Sequence, residues 1–215
     1  ISLGIALLFL GLNSGFAQKD FEGKISFTIE YIKMPDEMKA MEAMLPKGMT
    51  TYVKGDKSRM EQDAGMGGQT IVLNDNSSKE TVVLMNMLGQ KMAIIPSEEE
   101  KKQAEADMAK VDIKLVDETK EVAGYTCKKA VMTSLDMESP MVIFYTEDIP
   151  NGSADMAQVP GMPLEYTTEQ QGMKMRIAAT SISKEKVGNS MFEVPLDYEK
   201  LTGEELQKKF QGLGN

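Results

Sequence analysis

The sequence has no histidine and no tryptophan, one cysteine, and only 6% aromatic residues among 215. Without imidazole there is no Ser-His-Asp or Cys-His arrangement, no general base of that type near neutral pH, and no His-bearing zinc or haem site. A single thiol, Cys127, forms neither an intrachain disulfide nor a Cys-rich metal centre. Basic residues are in the minority, 24 Lys+Arg against 33 Asp+Glu for a net charge of −9, and no long Lys/Arg cluster offsets them. Binding to a phosphate backbone draws its affinity from such clusters, so the balance argues against nucleic acid as a partner. Phosphate-loop and dinucleotide fingerprints are missing too, and Asn74-Asp75-Asn76 lacks the glycine and the carboxylates of an EF-hand loop. Carboxylates are plentiful, yet none is paired in a way that marks it as catalytic. The expectation is a protein that is not an enzyme and carries no cofactor.

What is present begins with a compartment. Residues 1–17 hold no charge, and the apolar run from Ile5 to Leu12 is too short to cross a bilayer as a helix. Gly15 and Ala17 are small residues at the spacing of a cleavage site before Gln18, where the charged sequence starts. This pattern predicts a signal peptide over 1–17 and a single exported domain over 18–215, periplasmic or secreted. No later apolar stretch is long enough to span a membrane, so any membrane role is expected to be peripheral.

Along the chain, Phe21, Gly23, Ile25, Phe27, Ile29 and Tyr31 alternate with polar residues, the period-two signature of a strand with one wet face. After Pro35 the period changes, and Met38, Met41, Met44 and Leu45 fall at helical spacing, predicting a short helix over 36–45. Further strands are read in TTYVKGDKSRMEQ, turning at Gly55-Asp56, in QTIVLNDNSSKETVVLMNM, joined through the polar stretch from Asn74 to Lys79, and in LGQKMAII. Ser97 and Glu100 form a capping box for a charged helix over 97–110, and Thr202 with Glu205 one for a helix over 202–211. Between these helices the pattern is again β: VDIKLVDE, GYTCKKAVMTSL, PMVIFYTED, MPLEYTTEQ and GMKMRIAATSISKEK. The predicted fold is α+β: one large, curved antiparallel sheet of about ten or eleven strands, a half-open barrel with short covering helices. A closed barrel or a two-sheet sandwich is the alternative.

The conspicuous surplus is methionine, 19 residues. Met85 and Met87, and likewise Met173 and Met175, stand one residue apart on strands, and Met38, Met41 and Met44 share the helical stripe. Unbranched, polarisable side chains fill irregular core gaps. On an apolar groove they adapt to ligands of varied shape. Thioethers also suit Cu(I), a third reading, although here most Met occupy positions where Leu or Ile would continue an apolar face. Cys127 shares a strand face with Tyr125, while Lys128 points the other way, which describes a buried structural thiol. The groove candidates are Met38, Met41, Met44, Met85, Met87, Tyr125, Cys127, Met173 and Met175, with no catalytic residue and no metal ligand among them.

Six pieces, FEGKISFTIEY, YVKGDKSRME, VAGYTCKKAV, FYTEDI, PGMPLEY and SMFEVPLDYEKLT, follow one another over nearly the whole chain after residue 17. In order and spacing they resemble a bacterial exported family catalogued as domain of unknown function 4412, whose members resemble lipoprotein carriers of the LolA/LolB type. The resemblance implies a lipoprotein-carrier-like fold with an apolar cavity between sheet and helices, one that takes acyl chains without chemistry. It implies an apolar small molecule or lipid as partner. The alternative is a cell-envelope structural or interaction module whose sheet edges or acidic surface bind another protein.

Overall fold

The computed structural model describes residues 21–63, 68–87, 89–135, 137–170 and 172–212. The signal peptide expected at 1–17 lies outside them. Twelve strands form one sheet: β1 (Glu22–Lys33), β2 (Gly48–Lys54), β3 (Lys57–Asp63), β4 (Gln69–Asp75), β5 (Glu80–Met87), β6 (Gln90–Ile94), β7 (Asp112–Val122), β8 (Tyr125–Thr133), β9 (Met141–Thr146), β10 (Met162–Gln170), β11 (Met173–Lys184) and β12 (Glu199–Leu201). Three short helices accompany it, α1 (Asp36–Lys39), α2 (Glu98–Met108) and α3 (Gly203–Gly212).

The strand order is β12-β6-β5-β4-β3-β2-β1-β11-β10-β9-β8-β7. Strand β1 therefore joins two wings, each a run of hairpins. The turns follow from residues able to adopt positive φ: Gly55 at +56° between β2 and β3, Gly89 at +82° between β5 and β6, and the Ala123-Gly124 pair at +49° and +83° between β7 and β8. The sheet stays open, since β12 and β7 are its two edges and do not pair with each other.

Two details correct the sequence reading. The strand count is twelve, because the three-residue β12 was too short to leave a pattern, and it pairs with β6 in parallel, the single exception to an antiparallel sheet. The expected helix over 36–45 is broken into α1 and a 3-10 turn over Glu42–Met44, and neither buries a residue. Without a face to pack against, a helix this short gains too little to offset its nucleation cost. The two capping boxes are present: in α2, Glu100 N donates to Ser97 Oγ and Ser97 N to Glu100 Oε2. In α3, Glu205 N donates to Thr202 Oγ1 and Thr202 N to Glu205 Oε2.

Curvature follows from connectivity. Strand β6, next to the β12 edge, and strand β7, the opposite edge, are joined through α2. A flat sheet would separate them by about 48 Å at the usual strand spacing, whereas the 11 residues of α2 and their short flanking segments reach only about 40 Å. The sheet must curl, and β7 does approach β11 although three strands lie between them. One buried cluster accordingly unites Val53 of β2, Ile25 of β1, Ile177 of β11, Leu164 of β10, Cys127 of β8 and Val122 of β7.

Candidate functional site

Cross-strand register assigns residues to faces, because directly opposed residues point to the same side. The inner face is the one crossed by the connection between β9 and β10, residues 147–161. Its Met156 and Val159 pack on Met132, Ile143 and Tyr145 of the β7–β10 wing. On the other wing its Gly152 carbonyl accepts hydrogen bonds from Ser58 Oγ at 2.5 Å and Asn74 Nδ2 at 3.0 Å. One connection thus spans both wings.

Three transverse rows line the inner face of the β2–β6 wing. The first, Val53, Ser58, Asn74 and Thr81, is polar at its far end and lies under the connection. Ser58 and Asn74 are 1% and 8% exposed. Their polar groups are matched within the row: Thr81 Oγ1 donates to Asn74 Oδ1 at 2.9 Å, and Asn74 Nδ2 also lies 3.3 Å from Ser58 Oγ. The second row, Thr51, Met60, Val72, Val83 and Ile94, is apolar beyond its first residue, and those four apolar side chains are half-buried. The third, Met49, Gln62, Thr70, Met85 and Met92, is mixed. It runs into an open groove of about 450 Å³ lined by Phe27, Met49 and Gln62 together with the polar Lys47, Glu61 and Asp63. The result is a trough with a polar end and an apolar floor. Helix α2 connects β6 to the edge strand β7 and buries none of its own residues.

The outer face of the same wing is closed by the chain itself. Ile71, Leu73, Leu84 and Ala93 are buried against Val82, Val194 and Tyr198. The strap over residues 187–198 is tied down by Lys54 Nζ to the Val187 carbonyl at 2.8 Å, Arg59 Nη1 to the Met191 carbonyl at 2.9 Å, and Val187 N to Glu22 Oε1 at 2.7 Å. The bond from Val187 and then the Lys54 ammonium hold the Glu22 carboxyl below its ordinary range.

On the outer face of the other wing, Glu165 is 8% exposed and bound by Lys120 Nζ at 2.6 and 2.8 Å and Arg176 Nη2 at 2.9 Å. Burial pushes its carboxyl up, but the hydrogen bonds from Arg176 and Lys120 outweigh that, and it titrates below its ordinary value. Lys120 and Lys129 also stand over the Phe144 ring, at 5.2 and 6.0 Å. With every partner accounted for, the cluster reads as a structural pin.

The candidates named from sequence fall into four places. Met85 lies on the trough, opposite Thr70 and Met92, with Met87 at its exposed margin opposite Gln90. Met175, Tyr125 and Cys127 belong to the central cluster, while Met173 lies at the end of β11 opposite Gln170. Cys127 is fully buried, and burial, then the charges of Glu121 and Glu165, push its thiol up to about 11. Met38 is half-buried, whereas Met41 and Met44, expected on a packed stripe, are 47% and 42% exposed. Met85 and Met175 are separated by four strands, so the methionines do not converge on one point. Among the described residues no group of three or more His, Cys, Asp or Glu is placed to hold a metal ion, and no helix is long and apolar enough to cross a membrane.

Sequence reasoning missed Ser58, Asn74 and Thr81. Asn74 was read as the start of a polar turn, yet it is the sixth residue of β4 and buried. The alternation of Ser58 with Met60 placed both on one face but carried no sign of a partner 94 residues away.

Residues 33–154 match the family described as Domain of unknown function (DUF4412). No curated protein matches the chain. Among solved structures, PNGF-II in two crystal forms aligns over 89% and 87% of this chain at 14% and 16% identity, each with a TM-score of 0.59. The chain covers only 33% and 32% of PNGF-II, and the likeness is one of fold. The lipoprotein LppX of Mycobacterium tuberculosis aligns over 78% of this chain and 89% of its own, at 9% identity and a TM-score of 0.40.

Proposed function

The chain belongs to the family of domain of unknown function DUF4412, and from that premise we propose that it is an exported, non-enzymatic binding protein that shelters an apolar ligand, such as a lipid acyl chain, in the trough of the β2–β6 wing. One observation carries this reading: Met60, Val72, Val83 and Ile94 form a continuous apolar row that is left half-buried, on strands whose opposite face buries Ile71, Leu73, Leu84 and Ala93. Apolar floors with a few convergent polar groups are the usual form of small-molecule sites. Methionine at Met49, Met60 and Met85 suits a floor that must fit chains of different shape. The uncharged run over 1–17 supports export.

The segment over 36–45, whose Met38, Met41 and Met44 are among the groove candidates read from sequence, is not part of this shelter. That segment buries nothing, so the trough under the 147–161 connection is the better shelter. Titration with diphenylhexatriene, a rigid hydrocarbon that fluoresces only in apolar surroundings, together with native mass spectrometry of gently purified protein, tests the reading. Saturable binding or co-purified lipid is expected, and neither appearing would overturn it.

A second reading, an envelope interaction module, draws on the 11-residue edge strand β7, which pairs only with β8. A stoichiometric protein partner in envelope extracts, lost when β7 is altered while the trough binds no probe, would favour it.

A further inference from the structure

The polar end of the trough is an unusual feature of an otherwise apolar floor. Ser58 and Asn74 are buried side chains on adjacent strands, and both donate to a single acceptor, the carbonyl oxygen of Gly152. Thr81, opposite Asn74, fixes the amide by donating to its oxygen, so the Asn74 NH2 group faces the carbonyl. Three side chains from three neighbouring strands therefore build a receptor for one carbonyl oxygen, and the next row beyond it is the apolar Met60, Val72 and Val83.

The group now seated there belongs to the protein's own tip, residues 151–155. The flanks of the connection are anchored by apolar burial, Ile149 at 0%, Met156 at 7% and Val159 at 2% exposure, whereas no residue of the tip is buried. The tip is held by polar contacts: the two bonds to Gly152 and one from Asn76 Nδ2 to the Asn151 carbonyl. It is also pre-formed, because Asn151 Nδ2 donates to the carbonyls of Met156 and Val159 at 2.7 and 2.9 Å and its Oδ1 accepts from Ser153 N. Gly152 fits by lacking a side chain, since a Cβ would stand 2.6 Å from Ser58 Cβ.

Resting on the apolar-ligand reading above, we infer that Ser58, Asn74 and Thr81 form a carbonyl-binding subsite for the ester group of an acyl ligand, and that the Gly152 carbonyl occupies it as a built-in stand-in until the tip lifts. Lifting the tip alone strands two buried donors, which is costly. A ligand carbonyl restores both bonds while its chain covers the apolar row, so an ester can displace the tip and a plain hydrocarbon cannot.

The test compares the methyl ester of cis-parinaric acid with the carbonyl-free diphenylhexatriene. Asn76→Cys with Asn151→Cys places two thiols where the Asn76 side chain now meets the Asn151 carbonyl, and a disulfide between them would lock the tip; the native Cys127 is buried and will not compete. Oxidation is expected to weaken ester binding about tenfold or more and to change hydrocarbon binding less than about twofold, with recovery on reduction. With the disulfide confirmed by mass spectrometry, equal ester affinity in the oxidised and reduced forms overturns the subsite while hydrocarbon binding persists. If the unaltered protein binds neither probe, the apolar-ligand reading falls as well.

Discussion

Val83 and Leu84 are neighbours in the chain, alike in chemistry, and point to opposite faces of the same wing. Leu84 is 1% exposed beneath the strap that carries Val194 and Tyr198, while Val83 is only half-buried on the trough floor. Both faces are apolar, since runs such as TVVL do not alternate with polar residues. What separates them is cover: around Leu84 the outer face is sealed by a segment more than 100 residues downstream in sequence, whereas on the inner face the row of Met60, Val72, Val83 and Ile94 is left half-buried, between the row under the connection and the row that ends in the buried Met92. Burial on the outer face contributes to folding, and the apolar surface left on the inner face remains available for binding.

The comparison can be broken most directly at Leu84. Leu84→Ala should cost about 2–5 kcal/mol, because it removes a fully buried side chain and leaves a cavity. Urea unfolding checks it, and a loss under about 1 kcal/mol would mean that the outer face is not a true core. The outer face of the other wing has Glu165 in place of a strap. Glu165→Gln should cost about 1–3 kcal/mol at neutral pH, since two cations lose their shared acceptor while staying partly solvated.

The same variant has a pH signature. The folded Glu165 carboxyl titrates below its ordinary value of 4.5, so its contribution is present above that value and is lost as pH falls through the folded value. Stability measured from pH 6 downward should fall more gently in Glu165→Gln than in the parent below about 4.5. Identical acid limbs would show that the cluster adds nothing.

Ser97→Ala removes the cap of α2 and should cost about 1 kcal/mol. As α2 buries none of its residues, hydrogen exchange over Glu98–Met108 should register the change more strongly than global unfolding does. The smallest effect sharpens the comparison most: Val83→Ala should cost about 1 kcal/mol or less, because the side chain is half-exposed. Its hydrocarbon affinity should nevertheless fall about threefold. A stability loss matching that of Leu84→Ala would make the trough floor an ordinary core.

Much of the framework was legible before the fold was seen. Period-two stretches marked strands, the Gly55-Asp56 pair marked a hairpin turn, and Ser97-Glu100 and Thr202-Glu205 marked two helix starts, because each is decided within a few residues. The stripe of Met38, Met41 and Met44 misled for the converse reason: spacing suggests a packed face but contains no partner for it. The Ser58, Asn74 and Thr81 row was invisible, since three unremarkable polar residues on three strands become a receptor only through register.

By itself, then, the sequence determined the absence of imidazole and disulfide chemistry, the antiparallel β character, the family and the surplus of adaptable apolar side chains. These are properties of residue type and local period, which need no knowledge of distant contacts. Only the tertiary structure decided which apolar face is sealed and which is left open, that Gly152 lies on Ser58 and Asn74, and that Glu165 is pinned between Lys120 and Arg176. Most of those pairings join residues far apart in the chain, 94 residues for Ser58 and Gly152 and 45 for Lys120 and Glu165, and only the path of the connections and the register of the strands bring them together.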